Sequence, residues 1–104
     1  MKKAEIYFDI AENVNQRFVH LTDGENQDYL ISLPKEKAEF HSDIVVFANS
    51  YFDKKLTPHG GGKVRKDGDT YHLSGKSNVL GDFNKEKVVE ILKAVYPEAD
   101  IILE

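Results

Sequence analysis

Glu39-Phe40-His41-Ser42-Asp43-Ile44-Val45-Val46-Phe47-Ala48-Asn49-Ser50-Tyr51 is the stretch in which the periodicity of the chain changes. Before it, apolar residues come in short runs bounded by turn residues. From Ser42 onward Ile44, Phe47, Ala48 and Tyr51 fall at i, i+3, i+4 and i+7, which stacks them on one face of a helix. Ser42 is placed to act as the N-cap. Lys54 and Lys55 lie at the far end, where positive charge complements the helix dipole, and Pro58 with Gly60 discourages continuation. The spacing therefore predicts a helix over about residues 43 to 54.

Working outward toward the N-terminus, Ala4 to Ile10 is short and rich in β-formers, and Arg17 to Thr22 alternates partly in polarity, so both read as strands. Asp23-Gly24-Glu25-Asn26 supplies turn residues, and Tyr29 to Leu33 reads as a third strand ending before Pro34. The second and third strands are expected to form a hairpin. Toward the C-terminus, Gly60 to Arg65 and Thr70 to Ser74 flank an Asp67-Gly68 turn and predict a second hairpin. Val88, Ile91, Leu92 and Val95 make another i, i+3, i+4, i+7 stripe, with Asn84 as N-cap and Pro97 as stop. Ala99 to Leu103 would be the last strand. Strand, strand, strand, helix, strand, strand, helix, strand lacks regular βα alternation and predicts an α+β domain with a mixed or mostly antiparallel sheet.

The 104 residues suit one domain spanning residues 1–104, with 40% hydrophobic and 31% charged residues and eleven aromatics to fill a core. The net charge of −4 argues against a general nucleic-acid binder. There is no cysteine, so disulfides, thiolate nucleophiles and sulfur-ligated metals are excluded. Lys2 and Lys3 are followed by Tyr7-Phe8-Asp9 rather than an apolar signal region, and no apolar stretch approaches 18 residues. A cytoplasmic protein with no membrane partner is the expectation.

Three polar clusters could carry chemistry. His41 sits at the predicted helix entry, where a side chain that titrates near neutrality meets unpaired backbone N–H groups suited to an anion. A lone histidine between Phe40 and Ser42 is more often a hydrogen-bonded surface or core residue. Gly60-Gly61-Gly62-Lys63 lets backbone approach closely and offers a lysine to an anion, or else marks a bulge or tight packing. Gly75-Lys76-Ser77-Asn78-Val79-Leu80-Gly81 is a polar loop that could wrap a phosphate with amides and a hydroxyl, or merely connect two elements. Arg17 adds a forked cation that could grip phosphate oxygens. His20, His41, His59 and His72 show no metal-ligand spacing, and Ser42, Ser50 and Ser77 lack the setting of a serine nucleophile.

In this order the three clusters resemble the Janus/Ocnus family, whose best-known members are small protein phosphohistidine phosphatases. Glu39-Phe40-His41-Ser42-Asp43-Ile44 is similar to the family's Glu-Tyr-His-Ala-Asp-Ile. Gly60-Gly61-Gly62-Lys63-Val64, Tyr71-His72-Leu73-Ser74-Gly75-Lys76-Ser77 with Gly81, and Tyr96-Pro97 follow at similar spacing. The resemblance, running from about Arg17 to the C-terminus, implies a six-stranded sheet flanked by two helices. It implies that His41 is the essential histidine, that the Ser42 N–H binds phosphate, and that Ser77 and the Val79 N–H complete the cradle; Arg17, Lys63 and Asn78 stand beside these as further candidate substrate-binding residues.

Arg17 stands where the eukaryotic enzymes carry a lysine, and Asn78 and Leu80 replace a methionine and an aromatic residue. The segment between Arg17 and His41 is also shorter than in the animal enzymes. The activity implied is hydrolysis of phosphohistidine or phospholysine in a phosphorylated protein or peptide. His41 would act as general base or nucleophile in a monomer needing no cofactor or metal. A catalytically silent phosphate-binding module is the alternative expectation.

Overall fold

A computed structural model describes residues 4–104 and contains eight elements in the expected order. They are β1 (Glu5–Phe8), β2 (Gln16–Thr22), β3 (Asp28–Ser32), α1 (His41–Phe52), β4 (Thr57–Asp67), β5 (Thr70–Ser74), α2 (Lys85–Val95) and β6 (Asp100–Leu103). The strands form one sheet in the order β1-β3-β2-β4-β5-β6. The α+β class, with a six-stranded mixed sheet and two helices, is as the sequence predicts.

Both expected hairpins are present. In the first, β2 and β3 pair antiparallel around a turn where Asp23 Oδ1 accepts the N–H groups of Glu25 at 2.8 Å and Gln27 at 3.0 Å. In the second, β4 and β5 pair antiparallel around Gly68, whose φ of 59° suits the tight Asp-Gly turn. The two outer strands are parallel to their neighbours, β1 to β3 and β6 to β5.

Strand β4 starts earlier than expected, at Thr57, and runs through Pro58. The pairing shifts between His20 and Leu21, leaving His59 as an extra residue, and proline is tolerated at such a bulge because the local ladder is already interrupted.

The sheet is covered on both faces. Phe18, Leu30, Val64 and Leu73 pack with Phe83 and the α2 residues Val88, Ile91 and Leu92. Val19, Leu21, Ile31 and Leu33 pack on the other side with Ile44 and Ala48 of α1. Phe18 and Val19 thus point to opposite layers, as strand alternation requires. Burial on both faces explains why β2 and β3 show little polar alternation in sequence.

The first helix departs from the sequence prediction at both ends. It starts at His41, with Phe40 rather than Ser42 as the N-cap, and Asp43 reaches back to accept the Phe40 N–H at 3.0 Å. That carboxylate makes one of the two bonds of a capping box, while Phe40 has no side-chain acceptor for the N–H groups of the first turn. The helix ends at Phe52 because Asp53 turns left-handed, at φ 51°. Lys54 therefore does not face the helix dipole; its ammonium donates to the Tyr29 hydroxyl at 3.1 Å and to Asp23 at 3.4 Å. Tyr51 lies at the edge of the stripe and is 57% exposed, while Ile44 and Ala48 are fully buried. In α2 the expected cap holds, with Asn84 accepting from the Lys87 N–H at 3.0 Å.

These two helix starts should respond differently to alanine. Asn84→Ala is expected to cost about 1 kcal/mol, whereas Ser42→Ala, which removes no cap, should stay within about 0.5 kcal/mol. Denaturant unfolding of the two variants checks this, and equal losses would restore Ser42 as a cap.

Candidate functional site

The start of α1 meets the middle of the sheet because β4 carries no side chains there. A Cβ on Gly61 would lie 2.7 Å from His41 Cδ2 and 2.6 Å from the Phe18 carbonyl oxygen. A Cβ on Gly60, at φ 139°, would lie 2.3 Å from the Asp82 carbonyl oxygen. The glycine run therefore serves close packing: it admits the His41 ring on one face and the 82–83 chain beside it. Lys63, which ends the run, is exposed.

The His41 ring, only 8% exposed, places Nε2 3.0 Å from the Gly62 carbonyl oxygen. A carbonyl can only accept, so Nε2 carries the proton and Nδ1 keeps the unshared electron pair. Burial pushes the His41 pKa below its usual value, and the charges of Arg17 and Lys63 push the same way against the Gly62 bond. His41 is thus neutral at pH 7, with one nitrogen anchored and the other basic.

A cavity of about 310 Å³ opens over this helix start. It brings together all seven residues singled out from the sequence: Arg17, His41, Ser42, Lys63, Ser77, Asn78 and Val79. Of the four histidines only His41 lines it. His20 is bonded through Nε2 to Asp28 at 2.8 Å, and His59 to Thr22 at 2.6 Å. Among the described residues no three His, Asp or Glu side chains are grouped to hold a metal ion.

Two further residues line the cavity, Phe40 and Lys76, which the sequence places inside the candidate clusters without giving either a role of its own. Each immediately precedes a residue that was singled out, and that adjacency was the available signal.

The charge balance of the cavity is one-sided. Arg17 and Lys63 face each other across the β2–β4 ladder, an arrangement of like charges that destabilises a sheet when nothing lies between them. Neither Arg17 nor Lys63 pairs with a described carboxylate, Lys76 lies near enough to Asp82 to act on it only through its charge, and no Asp or Glu lines the cavity. The exposed Ser42 has its N–H in the first turn of α1, where no intrahelical acceptor exists. Three cations, a free helix N–H and a neutral imidazole form a lining whose charge and donors suit a compact anion.

The loop after β5 is closed on itself. Ser77 and Gly81 exchange backbone bonds at 3.2 and 2.9 Å, and the Gly81 carbonyl also accepts the Gly61 N–H at 3.2 Å. Ser77 is 2% exposed, and its Oγ accepts the N–H groups of Val79 at 3.3 Å and Leu80 at 3.0 Å. The Val79 amide thus has a long bond within the loop, while the Ser77 hydroxyl keeps its own proton to donate. The loop is fastened to the same strand that anchors His41.

The family model described as Janus/Ocnus family (Ocnus) matches residues 2–100. The chain belongs to that family. No curated protein matches it.

Gly61→Ala is expected to destabilise the fold by about 1–3 kcal/mol, since the added methyl must displace either the His41 ring or the Phe18 backbone. A melting temperature equal to that of the parent protein would contradict the tight contact. The depressed His41 pKa has a sign that can be checked. In the unfolded chain the ring binds its proton more readily, so stability falls as pH drops below the unfolded value of about 6.5. His20, whose pKa burial also lowers, acts in the same direction. His41→Gln should therefore lose less melting temperature than the parent between pH 7.5 and pH 5.5.

Proposed function

We propose that this member of the Janus/Ocnus family is a protein phosphohistidine phosphatase that hydrolyses a P–N bond without a metal, with His41 at its centre. The observation that carries the reading is the neutral His41 ring, anchored through Nε2 at Gly62 and leaving Nδ1 basic, beside Arg17, Lys63 and Lys76 with no carboxylate lining the cavity.

A P–N bond to imidazole breaks readily once the imidazole is protonated, so positioning and charge stabilisation are most of what is required. The cations and the Ser42 N–H would hold the phosphoryl oxygens as they gain charge, and the Ser77 hydroxyl has a proton to add. The electron pair on Nδ1 suits two routes. It takes a proton from the water that attacks phosphorus, or it attacks phosphorus itself and is freed by water in a second step. In both, the imidazole of the substrate leaves with its electron pair and gains a proton. Trapping of ³²P on His41 in rapidly quenched enzyme distinguishes the second route from the first.

A silent phosphate-binding module is the second reading, favoured by one observation. The Ser77–Val79–Leu80 turn satisfies its own hydrogen bonds, so the loop holds its shape without any catalytic task.

Turnover decides between them. Hydrolysis of a phosphohistidine peptide should fall by about 10²–10⁴-fold in His41→Ala, the range for losing a positioned acid–base group. Undiminished turnover there would overturn the assignment, and phosphate binding without turnover in the parent protein would make it a binding module. Arg17→Ala should raise KM more than it lowers kcat, because the guanidinium grips the ground state as well as the transition state.

A further inference from the structure

A second cleft, of about 270 Å³, lies beside the anion cavity and shares two residues with it, Arg17 and Lys63. They form the common wall because they stand opposite each other on β2 and β4 and project to the same face. The floor of the second cleft is apolar and fixed: Leu33 is 2% and Ala38 4% exposed. Val14, 46% exposed, forms an apolar rim with Pro34.

One wall is held in shape by Gln16, itself buried. Its Nε2 donates to the Asp9 carbonyl at 2.8 Å and its Oε1 accepts the Ala11 N–H at 3.2 Å. The exposed Asn15 side chain has no partner among the described residues, and its amide can both donate to and accept from a peptide bond.

We infer that this cleft receives the polypeptide flanking the phosphorylated residue, seating an apolar side chain two or three positions away while the phosphoryl group occupies the anion cavity. The inference rests on the phosphatase reading above and adds to it a subsite that selects an apolar residue near the phosphorylated one. Continuity is the first ground. Arg17 and Lys63 line both cavities, so a chain that leaves the anion cavity over this wall enters the cleft directly, and at about 3.3–3.6 Å per residue it crosses a wall one residue pair wide in two or three residues.

Charge is the second ground. Arg17 and Lys63 face both cavities, and Lys35 and Glu36, which also line the cleft, offset each other, so the cleft is net positive and suits a ligand whose residues next to the phosphoryl group are not basic. The third is chemistry: an apolar floor takes a side chain, and a free amide at the rim takes a peptide bond. A free phosphoramidate would use none of this.

The test compares two phosphohistidine peptides, one with leucine at two and three positions on both sides and one with glycine there. The parent protein is expected to favour the leucine peptide in kcat/KM by about tenfold or more, the scale of one apolar side chain in a pocket. Ala11→Trp, which fills the cleft from an exposed position, should bring that ratio toward one, with phosphoramidate turnover reporting that the anion cavity is intact.

A ratio near one in the parent protein overturns the inference, as does a ratio that Ala11→Trp leaves unchanged. Should Ala11→Trp fail to fold, Val14→Asn serves in its place with the same expected and opposing results. If the parent protein hydrolyses neither peptide nor phosphoramidate, the phosphatase reading fails by itself. The cleft is then judged by NMR with a hydrolysis-resistant analogue of the leucine peptide: shifts at Val14 and Asn15 sustain it, and their absence overturns it.

Discussion

The bond from His41 Nε2 to the Gly62 carbonyl is the contact on which the rest of the site depends. It fixes the start of α1 against the middle of the sheet, sets the tautomer of the ring, and requires a strand without side chains at Gly61. It also determines where the neighbouring parts lie. Lys63 follows Gly62 directly, Arg17 faces Lys63 across the ladder, and the Ser77–Gly81 loop is bonded to Gly61. One hydrogen bond thus ties a helix, two strands and a loop to a single reference frame.

The second constraint is electrostatic. Opposed like charges and a buried, depressed histidine each cost folding free energy, and the protein accepts both in one cavity. Strain of this kind collects where a ligand relieves it. An anion between Arg17 and Lys63 would remove the repulsion and restore basicity to His41, so that binding and the protonation state of the ring are linked.

Much of this was legible in the sequence. Periodicity located both helices and the turn residues located both hairpins, because those signals are local. Asn84 was readable as a cap because nothing competes with it. Ser42 was not, because the helix already begins at His41, which leaves Ser42 inside the first turn and Asp43 reaching back to the Phe40 N–H. The parallel addition of β1 and β6 at the two edges had no signal, since it is set by packing between distant segments. The glycine run announced close approach without naming the partner, which is the His41 ring on one side and the Asp82–Phe83 backbone on the other. The cavity residues were recovered through family motifs more than through physics, and Lys76 was given no role of its own because a lysine in a loop looks like any solvated lysine.

The glycine run has a consequence for how the molecule assembles. Glycine is among the weakest of strand formers, so the 60–62 stretch of β4 gains little from its own residues in pairing with β2. That pairing also joins segments roughly forty residues apart, a loop closure whose entropy must be met before any contact repays it. The middle of the sheet is therefore held by what docks on it from both sides, α1 through His41 and the 82–83 chain through Phe83. The two hairpins need only short loop closures, whereas the centre needs the long one. The cavity draws its residues from β2, β4, the start of α1 and the loop after β5, so a form in which β2 and β4 are unpaired lacks the Arg17–Lys63 wall.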